Sequence, residues 1–224
     1  MIKKSLIIHN VTENLSIQLL ENPKIQNVTK CNYCGKSRGN FWDETWPSAL
    51  ALSKYLANEL PLKRLEDCRA LVIGCGIGLE GMVLAKLGAN VTFQDHVPEA
   101  LQLVSQNCLL NEIESFQTIC CCLKDSKNVQ NIGKYDLVIG SDILYYFLYI
   151  GEWVWMESLL KNTLKTNGWA LFSDPIRFNE TDFFRGLANA SFQVKWTNSK
   201  WGHVDKMIKI YCVERTFKSS NMVI

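Results

Sequence analysis

Ala70-Leu71-Val72-Ile73-Gly74-Cys75-Gly76-Ile77-Gly78 is the stretch on which the fold turns. Four consecutive apolar residues suit a strand buried on both faces of a parallel sheet. Three glycines at alternate positions then supply the positive φ, or the close backbone approach, of a nucleotide-type turn. The apolar run that follows to Leu87, closed by Gly88, reads as a helix whose first N–H groups stay available to a ligand. Val91-Thr92-Phe93 reads as the next strand, and it ends at Asp95, 21 positions after Gly74 (95 − 74). A carboxylate at that strand tip accepts hydrogen bonds from both hydroxyls of a ribose. Strand, turn, helix, strand and terminal acid in register predict a site for an adenosine cofactor. A tight turn with a capping aspartate is the plainer alternative.

The same alternation extends outward in both directions. Upstream, Pro47 opens a helical pattern over 47–60, which Pro61 stops. Downstream, Pro98 opens a helix to about Asn111, and 116–121 and 136–139 read as the third and fourth strands. A helix over 153–164, a fifth strand over 169–172 and a helix over 181–189 follow. Segments 192–196 and 206–213 then alternate as an antiparallel pair with no helix between them. This order predicts an α/β fold: a three-layer sandwich around a mostly parallel seven-stranded sheet, Rossmann-like, with an antiparallel strand near the C-terminus. Residues 1–40 differ. Leu6-Ile7-Ile8 and Leu15-Ser16-Ile17-Gln18-Leu19 predict a hairpin, and the polar stretch 21–40 reads as a loop. The expected division is an N-terminal β extension and loop over 1–40 and one catalytic-type domain over 41–224.

Composition narrows the classes. Of 224 residues, 47% are hydrophobic and 21% charged, which excludes disordered and collagen-like chains. A chain of this length buries roughly 70% of its unfolded surface and needs no staple. Lys and Arg number 24 against 22 Asp and Glu, too balanced for the basic stripe of a nucleic-acid binder, so no nucleic-acid partner is expected. The nine cysteines are odd in number and Cys120, Cys121 and Cys122 adjoin, which predicts a reducing, cytoplasmic setting rather than a disulfide framework. Leu6-Ile7-Ile8 is too short for a signal segment, and the apolar window 143–150 falls well short of the roughly 20 residues of a membrane span. No membrane association is expected. Cys31-x-x-Cys34-Gly35 resembles half a zinc knuckle, but a structural site needs four ligands, so plain loop cysteines and no metal are expected.

Gly76-x-Gly78-x-x-Gly81 also fits the dinucleotide fingerprint. The first glycine after the strand is Gly74, however, so the turn reads as G-x-G-x-G with Gly81 one turn into the helix. No Tyr-x-x-x-Lys spacing of a short-chain dehydrogenase occurs, and the chain closes on a strand pair. S-adenosyl-L-methionine is therefore favoured over a nicotinamide. Three segments carry a resemblance: Phe41-Trp42-Asp43-Glu44-Thr45-Trp46-Pro47, Val72 through Gly78, and Tyr135-Asp136-Leu137-Val138-Ile139-Gly140-Ser141-Asp142-Ile143-Leu144-Tyr145. Over residues 41–175 the chain resembles seven-β-strand methyltransferase family 16, many of whose characterised members are protein-lysine methyltransferases. The resemblance implies cofactor contacts from Trp46, from Gly74, Cys75, Gly76 and Gly78, from Asp95 and from Ser141. Its pattern [Asp/Glu]-x-x-[Tyr/Phe] is met by Asp142 and Tyr145. One departure is Leu123, where such enzymes often place a tryptophan against the adenine; an apolar leucine still covers an adenine face.

The implied activity is methylation of a nitrogen on a protein side chain, with lysine favoured and a protein as substrate. Methyl transfer from a sulfonium is an in-line displacement, for which alignment supplies on the order of 7–11 kcal/mol. A lysine at pH 7 must first lose a proton, at roughly 4–5 kcal/mol. Asp142 stabilises an ammonium and so recruits and orients it rather than acting as a strong base, while Tyr145 offers an aromatic wall. His96, next to Asp95, borders the adenosine pocket in this reading, and His203 is left unassigned. A small-molecule N-methyltransferase and a catalytically silent interaction module are the alternatives.

Overall fold

The computed structural model of the chain describes residues 4–21, 28–30, 37–39, 41–144, 153–175, 186–187, 192–200 and 207–215. The chain starts with β1 (Ser5–Asn10) and β2 (Ser16–Glu21), the expected antiparallel hairpin. Within 21–40, read as a loop, a second small hairpin pairs β3 (Val28–Lys30) with β4 (Ser37–Gly39). Strands of three residues hold too few alternations for a period of two to register, so the sequence pattern misses them. α1 (Pro47–Asn58) starts on Pro47, whose missing N–H costs nothing in a first helical turn.

Three parallel strands then build one side of the sheet, out to its edge at β7. β5 (Arg69–Ile73) leads through the glycine turn to α2 (Leu79–Lys86), then β6 (Asn90–Asp95), α3 (Pro98–Leu110) and β7 (Gln117–Cys120). α4 (Ser126–Asn131) follows, a short helix capped by the Asp125 carboxylate, which accepts from the Lys127 N–H at 2.9 Å. Only Val129 of α4 is buried, so no apolar period announces it. β8 (Tyr135–Ser141), α5 (Trp153–Thr163), β9 (Leu164–Asp174), β10 (Phe192–Asn198) and β11 (Lys209–Arg215) complete the described elements. The helix expected over 181–189 lies outside the described residues except for 186–187.

The sheet order is β10-β11-β9-β8-β5-β6-β7. β5 runs parallel to β6 and β8, while β11 lies antiparallel between β9 and β10. Alternate residues of β5 serve two cores, as the pleat requires. Ala70 and Val72 pack with Leu52 and Leu56 of α1, Leu84 of α2 and Val104 of α3. Leu71 and Ile73 pack on the other face with Val129 of α4 and with Met156 and Leu160 of α5. The result is the expected three-layer α/β sandwich.

The β1–β2 hairpin is held to this sandwich by two buried asparagines, Asn107 of α3 and Asn111 at its C-cap. The Leu20 N–H donates to Asn107 Oδ1 at 2.7 Å, and the Gln18 N–H to Asn111 Oδ1 at 2.9 Å. Asn111 Nδ2 donates back to the Gln18 carbonyl at 2.6 Å, so the two amides satisfy the edge of β2 as a neighbouring strand would. Asn107 Nδ2 also donates to the Ile77 carbonyl at 3.2 Å, which ties the hairpin to the glycine turn.

Candidate functional site

The turn between β5 and α2 uses its glycines for their backbone freedom. Gly74, Gly76 and Gly78 have φ of +58°, +51° and +89°. A Cβ on Gly76 would come within 3.1 Å of the Trp42 carbonyl oxygen, and one on Gly78 within 3.0 Å of Val104 Cγ2. The turn is anchored from β6. The Gly76 N–H donates to Asp95 Oδ2 at 3.1 Å, and the Val97 N–H donates to Asp95 Oδ1 at 3.0 Å. A carboxylate has about four lone-pair sites, so both Asp95 oxygens retain acceptor capacity. His96 Nδ1 lies 3.3 Å from Asp95 Oδ1. Gln94 braces the turn from behind: its Oε1 accepts from the Gly74 N–H at 3.2 Å and its Nε2 donates to the Cys121 carbonyl at 2.8 Å.

This turn floors a cavity of about 390 Å³, within the range of small-molecule sites. Trp46, Gly74, Cys75, Gly76, Gly78, Asp95, Leu123 and Ser141, scattered over 95 positions (141 − 46), all line it. Asp142 and His96 line it too. Tyr145, His203, Cys31 and Cys34 lie outside the described residues. Burial pushes the Cys75 thiol well up, reinforced by the Asp95 and Glu80 carboxylates, so this wall residue stays neutral rather than nucleophilic.

Segment 41–46 forms the opposite wall. The Trp46 indole N–H donates to the Phe41 carbonyl at 2.7 Å, and the two rings meet edge-on with centroids 6.0 Å apart. Thr45 Oγ1 donates to Glu21 Oε1 at 2.5 Å and lies 3.1 Å from His9 Nε2, so the hairpin grips the wall. Burial pushes the Glu21 carboxyl up, but the hydrogen bonds from His9 and Thr45 outweigh it and the net shift is downward. The buried indole N–H of Trp42, another lining residue, has no hydrogen-bond partner among the described residues.

At the end of β8 the arrangement is different. The Ser141 hydroxyl donates to Glu80 Oε1 across the mouth of the turn. Glu80 sits in the first turn of α2, is only 4% exposed, and lines the cavity. Burial raises its carboxyl above the ordinary range; the Ser141 and backbone hydrogen bonds pull it down in part, and Asp142 adds like charge. Asp142 itself holds a left-handed φ of +52°, with its N–H donating to the Ser173 carbonyl at 2.9 Å. A non-glycine residue held there stores strain on the order of 1–3 kcal/mol, a feature that gathers at functional sites. The sequence reading passes over Glu80, although its signal is present: one acid in the otherwise apolar run Leu79-Glu80-Gly81-Met82-Val83-Leu84.

Residues 32–190 match the model of methyltransferase family 16, described as lysine methyltransferase. The chain belongs to this family. Among its curated relatives, protein N-lysine methyltransferase METTL21A of Mus musculus is 35% identical over 104 residues, covering 45% of this chain and 46% of the relative. Histone-arginine methyltransferase METTL23 of Xenopus laevis is 32% identical over 103 residues, covering 45% and 43%. Histidine protein methyltransferase 1 homolog of Dictyostelium discoideum is 31% identical over 137 residues, covering 60% and 42%. The matches thus span less than half the length of these relatives. Among solved structures, magnesium protoporphyrin IX methyltransferase from Synechocystis PCC 6803 with bound SAM superposes with a TM-score of 0.60 at 18% identity, covering 75% of this chain and 78% of that one. A putative SAM-dependent methyltransferase from Streptococcus mutans gives 0.65 at 13% identity, covering 95% and 55%. These two likenesses show that this family member shares their fold.

Proposed function

We propose that this chain is an S-adenosyl-L-methionine-dependent methyltransferase that methylates a nitrogen on a protein side chain, with lysine favoured. The observation that carries the reading is Asp95: a buried carboxylate at the tip of β6, fixed by the Gly76 and Val97 N–H groups, with acceptor capacity left on both oxygens. The fit is supported by the glycine cradle, which a Cβ would fill, and by the volume of the cavity. In this reading Asp95 takes the ribose hydroxyls, and Leu123 and His96 border the adenine side. Trp46, Cys75 and the three glycines of the turn wall the remainder, with Ser141 at the far end. Bound there, the cofactor supplies a methyl group on a sulfonium. Asp142 gathers the target ammonium and fixes its approach, because a carboxylate favours the charged amine over the neutral one. Tyr145 follows Asp142 in the family pattern and is assigned the aromatic wall on that ground alone.

Lysine is favoured by the description of the family and by the named target of the Mus musculus relative. The same reading assigns residues 41–224 to the transferase domain and 1–40 to an extension of it. The odd number of cysteines, with three adjoining, supports a cytoplasmic setting. Among the described residues no helix is long and apolar enough to cross a membrane. Incubation with radiolabelled S-adenosyl-L-methionine and a cell extract tests the whole reading. A labelled protein band is the expected outcome. Label in a small molecule alone makes the chain a small-molecule methyltransferase, and the absence of any label makes it a binding module.

A further inference from the structure

The described residues that line the cavity include four carboxyl groups, Glu44, Glu80, Asp95 and Asp142, and neither lysine nor arginine. Such a cavity favours a ligand with positive charge. The four acids are not equivalent. Asp95 accepts backbone N–H bonds on the β6 side of the glycine turn, whereas Glu80 is reached by Ser141 from the β8 side. Since β6 and β8 flank β5 on opposite sides, a nucleoside held by its ribose at Asp95 and laid across the turn presents its far end to Glu80. In the proposed donor that far end is an amino acid, with an ammonium that persists after the methyl group has gone.

We infer that Glu80 is the counter-ion for this ammonium, and that it makes the pocket selective for nucleosides carrying an amino-acid end. The inference rests on the proposed donor. Holding a carboxylate at 4% exposure without a cation is costly, and burial accordingly raises the Glu80 carboxyl in the ligand-free protein. Among the described residues, the titratable groups that face it are Asp142 from the end of β8, and Cys75 in the turn, which also feels Asp95. None of them supplies positive charge. A cation arriving beside Glu80 favours its ionised form, so binding releases a proton from the fraction that was protonated.

Calorimetry of the full chain with S-adenosylhomocysteine and with 5′-methylthioadenosine, which lacks the amino-acid end, tests this directly. Glu80→Gln should weaken S-adenosylhomocysteine about 10- to 100-fold and shift methylthioadenosine by less than about twofold, since the loss is that of one charge-assisted bond. Titrations in buffers of different ionisation enthalpy should show proton release for wild type with S-adenosylhomocysteine and none for the variant. The ligand-free variant should melt no lower than wild type at neutral pH, because it removes a buried ionisable group and keeps an acceptor for Ser141. Equal weakening of both nucleosides, or no weakening of either, overturns the assignment. A test on wild type alone stands if the variant does not fold: the analogue of S-adenosylhomocysteine lacking only its amino group should lose a similar factor. Equal affinity for that analogue also overturns it. If wild type binds neither S-adenosylhomocysteine nor methylthioadenosine, the donor reading falls and takes this inference with it. Tight binding of S-adenosylhomocysteine with an unresponsive Glu80→Gln sinks the inference alone.

Discussion

The two sides of the cavity are built differently. On the β6 side, the contacts that hold the turn come from backbone N–H groups close to the strand tip: Gly76 and Val97 to Asp95, and Cys75 to the Gln94 carbonyl at 3.0 Å. On the β8 side, the contact is between side chains 61 positions apart, Ser141 and Glu80, and the next residue, Asp142, is held in a left-handed conformation. The first side is a fixed seat whose geometry follows from the path of the chain. The second is a charged surface that depends on how α2 and β8 are packed together. A seat made of backbone suits the part of a ligand that never changes, and a charged side-chain surface suits the parts that must be discriminated.

Substitutions that act on one side and spare the other would break or sharpen this contrast. The largest effect is expected at Asp95. Asp95→Ala should weaken S-adenosylmethionine, S-adenosylhomocysteine and methylthioadenosine alike, by on the order of 2–4 kcal/mol, because all three share the ribose. Calorimetry that found any of the three unaffected would remove Asp95 from the seat. Next comes Asp142→Asn, which keeps the shape and removes the charge. Cofactor affinity should hold within a few-fold while transfer to an identified amine falls about 10²-fold, near 2.7 kcal/mol at the barrier. An equal collapse of cofactor affinity would move Asp142 to the seat, and unchanged turnover would deny it a part in the acceptor surface.

Gly76→Ala tests the backbone seat without touching charge. A φ of +51° and a Cβ 3.1 Å from the Trp42 carbonyl should cost roughly 1–2 kcal/mol, read as a lower melting temperature. A variant as stable as wild type would show that the turn tolerates a side chain. The smallest effect is expected at the grip of the hairpin on the wall. Thr45→Val removes the hydroxyl shared with Glu21 and His9, at about 1 kcal/mol. Glu21 is held below its ordinary value in the folded state, so its contribution is complete above the unfolded-state range and is lost as pH falls through the lowered value. Acid unfolding monitored from neutral pH downward should therefore begin at higher pH in Glu21→Gln than in wild type. Coincident acid transitions would remove Glu21 from the stability of the hairpin.

Much of this was legible beforehand, and for physical reasons. Ala70-Leu71-Val72-Ile73 and the alternate glycines act through their own backbone, and Asp95 is marked by its place at the tip of the next strand, so composition and spacing suffice to read them. Leu123, which lines the cavity, is pointed to by resemblance to a family and not by its spacing. β3, β4 and α4 were missed because each is too short, or too little buried, to impress a period on the residues.

Glu80, Asn107 and the cluster of His9, Glu21 and Thr45 belong to another category. Glu80 reads in sequence as one charge in an apolar helix, which an exposed face would accommodate equally well. It becomes a pocket acid only because α2 lies against the end of β8, where the Ser141 hydroxyl meets it. Asn107 serves strand β2 from 87 positions away, and Thr45 is gripped from 24 and 36 positions away. Local dihedral preference and hydrophobic period decide where a strand, turn or helix stands. Which side chains then share a buried, low-dielectric space, and so which acids lose their solvent and call for a counter-ion, is decided only when distant segments pack.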